Sequence, residues 1–320
     1  MRETLTELWT HAKAAGAHHL PGVHAAYASI RRKVLLKRVE TTLAHPQPSD
    51  VRSAEAAFER LQADAPPVAE YGYDPLSTWK RGAERARSLL GLSPRLGHPG
   101  ALVLEGACGD GMTGYLLHGF GHELTLVDVD DWRDARACAL TFRKGDLSAP
   151  GLLPANYFDL VYSYNSFEHF ADPAAVLRHL IAACRPGGLL YLEFGPLYCS
   201  PWGLHAYRTL RVPYPQFLFS SEFVDRQLER LGIEDLGQKR TSLQPLNRWR
   251  LAQFRDLWHA SGCEILRCDV AQVDVSHLRM VTAFPESFRG RGLALEDLLA
   301  QAVTVLMRKP TTTSAASPHG

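Results

Sequence analysis

The sequence predicts an α/β fold, a doubly wound and largely parallel sheet preceded by a helical region. Three observations carry that expectation. From residue 101 onward, short apolar runs alternate with stretches of helical character, as in successive βαβ units. The first of these runs enters a turn of small residues and then a helix. Residues 1 to about 95, by contrast, show helical periodicity and no convincing strand.

In the helical region, Leu5, Leu8 and Trp9 recur at helical spacing, as do Ile30, Val34, Leu35 and Val39. The prolines of His45-Pro46-Gln47-Pro48-Ser49-Asp50 break the pattern, and Asp50 is placed to cap the next helix. A second break falls at Asp64-Ala65-Pro66-Pro67, and a last helix is expected from about Pro75 to Leu92. The expected strands are Ala101–Glu105, Leu124–Asp128, Phe158–Ser163 and Leu189–Phe194, with helices near 111–120, 131–139 and 173–184. These strands are apolar almost throughout, as when helices cover both faces of a sheet. An aromatic, proline-containing stretch runs from Pro196 to about Leu246, followed by a helix near 247–261 and strands at Cys263–Val270 and Ala302–Met307. The tail from Thr311 to Ser317 is low in complexity and expected to be disordered.

Composition narrows the function classes. Of 320 residues, 46% are hydrophobic and 22% charged, which supplies a core. Thirty-five basic residues against 34 acidic ones leave a formal charge of +1, so no global field draws a polyanion and no nucleic-acid partner is expected. Cys108, Cys138, Cys184, Cys199, Cys263 and Cys268 are dispersed without a C-x-x-C pair, which excludes a zinc ribbon or a small disulfide scaffold. His18, His19 and His24 lack supporting ligands at zinc-like spacing, so no metal is expected. With no run of membrane-spanning length and no signal-like apolar segment, the chain is expected to be cytoplasmic.

The chemistry concentrates in four segments. Leu102-Val103-Leu104-Glu105-Gly106-Ala107-Cys108-Gly109-Asp110-Gly111 takes a strand into a small-residue turn, where a ligand can approach the backbone and meet the free N–H groups of a helix start. Gly109-Asp110-Gly111-Met112-Thr113-Gly114 is also a literal G-x-G-x-x-G, which keeps a dinucleotide site and an NAD(P)-dependent oxidoreductase open. Asp128 closes the second apolar run, and a carboxylate there accepts from both hydroxyls of a ribose; Asp130 shares its face of the strand. The third segment is Phe142-Arg143-Lys144-Gly145-Asp146-Leu147. The fourth runs from Tyr157-Phe158-Asp159 to Phe167-Glu168-His169, with Ala171-Asp172-Pro173 opening a helix that ends in Arg185-Pro186-Gly187-Gly188. No Tyr-x-x-x-Lys is placed to serve hydride transfer.

In order and spacing these segments resemble the class I S-adenosylmethionine-dependent methyltransferases, with a type 11-like core over residues 98–195. The resemblance implies a Rossmann-like seven-stranded sheet over residues 96–310, with 196–246 as a substrate-covering insertion, 1–95 as a helical cap and 311–320 as a tail. It implies that Glu105, Gly106, Ala107, Gly109 and Gly111 cradle S-adenosyl-L-methionine, with Ala107 standing where a glycine is usual. By the same resemblance Asp128 holds the ribose, Asp146 takes the adenine amino group and the Leu147 amide a ring nitrogen, and Asn165 lines the methionine side. Arg81 is a candidate for the methionine carboxylate, since its fork suits that group.

Methyl transfer is an in-line displacement, so alignment in a water-poor pocket supplies much of the rate. His205, in the aromatic stretch after the fourth strand-like run, is the candidate base, with Tyr198 and Tyr207 behind it; Tyr71, Tyr73 and Trp79 are placed to fold over the cofactor. Glu168 and His169 either line the site or order its loop. The expected activity is methyl transfer to an oxygen or nitrogen of a small molecule such as a metabolite, sugar or lipid-linked intermediate. A nucleic-acid or protein methyltransferase using the basic face Arg31-Arg32-Lys33 and Lys37-Arg38, and a non-catalytic cofactor-binding protein, are the alternatives.

Overall fold

A computed structural model describes residues 21–66, 72–235 and 238–311. Helices α1 (Pro21–Leu43), α2 (Arg52–Ala56), α3 (Phe58–Asp64) and α4 (Pro75–Leu90) precede any strand. Asp74 starts α4 by accepting from the amides of Leu76 and Ser77, with Pro75 in the first turn. Strand β1 (Leu102–Gly106), helix α5 (Met112–Gly119), β2 (Glu123–Asp128), β3 (Thr141–Lys144), β4 (Phe158–Tyr164), α6 (Pro173–Ala183) and β5 (Cys184–Phe194) follow. Then come α7 (Pro215–Leu218), α8 (Ser221–Leu231), the hairpin β6 (Ile233–Asp235) and β7 (Gln238–Arg240), α9 (Leu251–Ala260), β8 (Glu264–Gln272), α10 (Arg279–Ala283), α11 (Leu295–Leu299) and β9 (Ala300–Arg308).

Seven strands form one sheet in the order β3-β2-β1-β4-β5-β9-β8. β1 to β5 are parallel, and β9 runs antiparallel between β5 and β8. Neighbouring residues of β1 point to opposite faces. Val103 belongs to the core that includes Ala86 and Leu89 of α4, whereas Leu104 belongs to the core that includes Val176 and Leu180 of α6 and Phe254 and Trp258 of α9. Covering helices on both faces explain why these strands are apolar without alternation. Because the order departs from β1 in both directions, the carboxyl ends of β1 and β4 border the crevice where ligands bind in such sheets.

A second core lies outside the sheet. It joins Val39 and Leu43 of α1, Phe58 of α3, Leu210 to Leu228 of the region after β5, and Leu278 to Leu299 between β8 and β9. Phe58 meets Phe219 and Phe223 edge-on, each at 5.3 Å. No helix among the described residues is long and apolar enough to cross a membrane.

The helix expected near 131–139 is a correction: only a single 3-10 turn, Ala135–Ala137, forms there. Asp131 and Asp134 accept from the backbone amides of Arg133 and Arg136, and such side-chain turns compete with helix. The aromatic, proline-containing stretch up to Leu246, for which the sequence predicts no elements, contains α7, α8 and the β6–β7 hairpin. The Leu5-Leu8-Trp9 pattern, Tyr71, His18, His19 and the tail from Thr312 lie outside the described residues.

Candidate functional site

The turn after β1 bends through three left-handed residues, Ala107 (φ +53°), Gly109 (φ +53°) and Gly111 (φ +65°). Their surroundings differ. A Cβ added to Gly109 would meet nothing within 4 Å, so this stretch of backbone faces open space. At Gly111 it would press on Leu126 Cδ1 and Ala137 Cβ, and at Gly114 it would lie 2.7 Å from both Glu105 Oε2 and Leu126 Cδ2. The later two glycines therefore let α5 lie close on β2, while Gly109 leaves the backbone bare toward the crevice. At Gly106 an added Cβ would come within 3.1 Å of Leu147 Cδ1.

Glu105 is 5% exposed, and its Oε2 accepts from the Gly114 amide at 3.1 Å. Its carboxyl thus ties β1 to the first turn of α5, and burial pushes its pKa up to about 8. Asp110 accepts from the Met112 amide through Oδ1 and pairs through Oδ2 with Arg81 Nη2 at 3.0 Å. Arg81 also donates to the Gly72 carbonyl at 2.8 Å, which fixes its guanidinium beside the turn.

Asp128, last residue of β2, is half-buried. Its Oδ2 accepts from the Gly109 amide at 2.9 Å and its Oδ1 from the Val129 amide at 2.7 Å. Burial raises its pKa, against the lowering effect of these amides. Asp130 is instead exposed and paired with Lys144. The Gly145 amide donates to the Asp128 carbonyl at 2.9 Å, which brings the turn after β3 alongside. There Asp146 is exposed and accepts from the Ser148 amide, while Leu147 is buried. At the end of β4, Ser163 Oγ donates to the Gly106 carbonyl at 2.7 Å, and Asn165 is exposed with φ +50°. The bare backbone at Gly109, the start of α5 and a carboxylate at the neighbouring strand end make a cradle that suits a nucleoside cofactor.

The acceptor side lies past β4 and β5. Glu168 is 2% exposed; its Oε1 accepts from the Gly195 amide at 3.0 Å, and its Oε2 has no hydrogen-bond partner. Burial pushes this carboxyl up to about 8. His169 donates from Nδ1 to the Pro245 carbonyl at 2.8 Å. His205 donates from Nε2 to the Pro196 carbonyl at 2.9 Å, and the two imidazoles meet edge-on at 4.9 Å. A carbonyl oxygen only accepts, so each ring carries its proton on the bonded nitrogen and keeps a lone pair on the other. Burial, with His169 adding to it, lowers His205 to about 4. The imidazole is then neutral at pH 7 but a weak base, which narrows the role expected of it.

The Arg208 guanidinium lies over the Tyr73 ring at 5.2 Å, and Arg81 approaches the same ring at 5.7 Å. Tyr207 packs near Trp202, and Tyr198 packs on Phe217 beneath the Arg248 guanidinium. Trp79 is 41% exposed. The structure thus joins Arg81, the β1 turn, Asp128 and the end of β4. It also groups Glu168 and His169 with His205, which the sequence offered apart because 35 residues divide His169 from His205.

A family model described as "Methyltransferase domain" matches residues 79–267, more than half of the chain. The chain is 29% identical over 110 residues to the ubiquinone biosynthesis O-methyltransferase of Xanthomonas axonopodis pv. citri, a match over 32% of this chain and 46% of that protein. It therefore spans about half the length of the curated relatives it matches. Among solved structures, an S-adenosylmethionine-dependent methyltransferase from Mesorhizobium loti is 19% identical, with a TM-score of 0.42 over 74% of this chain and 100% of that one. Magnesium protoporphyrin IX methyltransferase from Synechocystis, with bound SAH, is 14% identical, with a TM-score of 0.43 over 81% of this chain and 95% of that one. The family match falls on the strand ends and turns just described, and the chain belongs to the class I S-adenosylmethionine-dependent methyltransferases.

Proposed function

We propose that this methyltransferase acts on an oxygen of a small organic acceptor enclosed between the sheet and its cap. One observation carries the enclosure. Arg208, from the region after β5, lies over Tyr73, and Tyr73 adjoins Arg81, which is bonded to Asp110 in the β1 turn. These contacts support a cap that covers the cofactor cradle. Tyr73, Tyr198, Trp202 and Tyr207, brought together by the segments before β1 and after β5, favour a small, partly aromatic molecule over a polymer in this reading. The O-methyltransferase name of the Xanthomonas relatives supports oxygen as the acceptor atom.

When bound, the cofactor supplies an electrophilic methyl group on a sulfonium. In this reading the Gly109 backbone and Ala107 border the cofactor, and Asp128 holds the ribose while keeping the turn in place through the Gly109 amide. Asp146 and Leu147 border the adenine, Asn165 the methionine portion, and Arg81 the carboxylate end. Glu105, Gly106 and Gly111 act by shaping the turn, as their contacts within the chain indicate. The cap excludes water and fixes the acceptor's line of approach. His205, weakly basic in its enclosure, is not the group that removes a proton at neutral pH.

The test is turnover with isotopically labelled methyl donor on matched phenols, alcohols and amines, with RNA and protein substrates alongside, and the product resolved by mass spectrometry. The reading predicts label on an oxygen of a small molecule. Label only on nitrogen, or only on RNA or protein, contradicts it.

A further inference from the structure

Glu168, His169 and His205 offer one ligand atom each, and all three atoms lie within 4.8 Å of one another. We propose that this cluster, at the carboxyl ends of β4 and β5, binds a divalent first-row transition metal such as zinc.

Several independent features point to a ligand there. Glu168 is buried, one of its oxygens holds the Gly195 amide, and the other is without a partner. A buried carboxylate oxygen left unsatisfied is costly, and a cation removes that cost. Each imidazole has one nitrogen fixed by a backbone carbonyl, Pro245 for His169 and Pro196 for His205. That outer hydrogen bond sets the tautomer and orients the ring, which is the arrangement found around metal-ligating histidines. His169 Nε2, its lone-pair nitrogen, already lies 3.9 Å from Glu168 Oε1. His205 is held in the left-handed region at φ +59°, and its amide donates to the Trp202 carbonyl at 2.9 Å. Strained backbone of this kind persists where surrounding structure holds a functional side chain in place.

The donor set is two imidazoles and one carboxylate. It suits zinc, iron or cobalt and disfavours magnesium, which prefers oxygen ligands alone. Ligands around a tetrahedral ion at the usual bond lengths lie about 3.3 Å apart, so the separations need to shrink by at most about 1.5 Å. Three protein ligands leave coordination positions open. On the acceptor reading above, one open position takes the acceptor hydroxyl. Its O–H bond breaks more readily there: the electron pair stays on oxygen and the proton passes to bulk water as the acceptor enters the site. Metal binding itself does not depend on that reading.

The experiment uses the full chain stripped with a chelator and dialysed. Cobalt(II) is titrated in and followed by its visible absorption, and zinc and magnesium are titrated by calorimetry; S-adenosylmethionine binding is measured on the same preparation. The expected result is one equivalent of cobalt or zinc per chain, no comparable magnesium binding, and affinity at least about 100-fold weaker in Glu168→Gln, His169→Gln and His205→Gln. Retained cofactor binding in these variants shows that the fold is intact. Absence of a stoichiometric site in the wild-type chain overturns the proposal, and that result stands whether or not a variant folds. Equal metal binding in all three variants overturns it as well, since the ion then lies elsewhere. Cofactor binding without metal removes the metal site and leaves the methyl-transfer reading in place. Metal binding without cofactor does the reverse.

Discussion

At the residue scale, burial raises the pKa of both carboxylates near the ends of β1 and β2, and Glu105 shows the consequence most directly. Glu105 is enclosed beneath α5, and its pKa rises from 4.5 to about 8 on folding. The folded chain therefore keeps a proton that the unfolded chain releases above pH 4.5, so stability falls as pH rises from 4.5 to about 8 and levels off beyond. Glu105→Gln retains a carbonyl for the Gly114 amide and removes the titration. The variant is expected to be more stable than the wild type at pH 8, with the difference shrinking toward pH 4.5 in urea denaturation of the cofactor-free protein. A constant difference across that range contradicts the assignment. Gly109 gives a second prediction. In Gly109→Ala the new Cβ touches nothing within the chain, so stability falls only by the left-handed penalty, about 1–2 kcal/mol. Cofactor affinity is expected to fall at least about tenfold, because the methyl group occupies the side from which the ligand approaches. Calorimetry alongside thermal unfolding separates the two effects. These residues were legible in the sequence because a strand, a small-residue turn and a helix start are neighbours in the chain. Glu168 and His205 were not legible as a pair, since only the return of the chain after β5 brings them together.

Among the elements, the helices of the cap depend on side chains that reach across the sequence. Ser220 caps α8 by accepting from the Phe223 amide, and both its amide and its hydroxyl donate to Glu55 Oε1 of α2, at 2.8 Å and 2.6 Å. Ser220→Ala removes the cap and one of the Glu55 contacts, at an expected cost of about 1 kcal/mol in chemical denaturation; an unchanged midpoint contradicts that role. Six of the seven sheet strands, α4 and α6 were readable from the sequence; the short edge strand β3, with charged Arg143 and Lys144 in four residues, was not. The failure at 131–139 has a local cause: apolar spacing there is overridden by Asp131 and Asp134, whose oxygens take the backbone amides two residues on. Helix α8 was hidden by the prolines and aromatics before it, although Ser220 and the apolar spacing of Phe223, Val224 and Leu228 were present in the chain.

For the whole molecule, two cores meet along the carboxyl edge of the sheet. The sheet core follows from the alternation of strands and helices. The cap core unites segments near residues 39–58, 199–228 and 278–299, and no local pattern in any one of them names the others. Phe58, 1% exposed between Phe219 and Phe223, is a point where they join. Phe58→Ala is expected to cost about 3–5 kcal/mol, measured by denaturant titration. If the cap encloses the acceptor, the same variant loses turnover at temperatures where cofactor still binds; parallel loss of cofactor binding and turnover would instead mark one cooperative unit.

The central claim is that the cofactor's sugar lies across the ends of β1 and β2, held by Asp128. Calorimetric titration of S-adenosylmethionine into wild type, Asp128→Ala and Asp130→Ala tests it most directly. The prediction is a loss of roughly 1.5–3 kcal/mol for Asp128→Ala, the scale of hydrogen bonds to a charged group, with Asp130→Ala unchanged. Full affinity in Asp128→Ala, or a loss confined to Asp130→Ala, contradicts it.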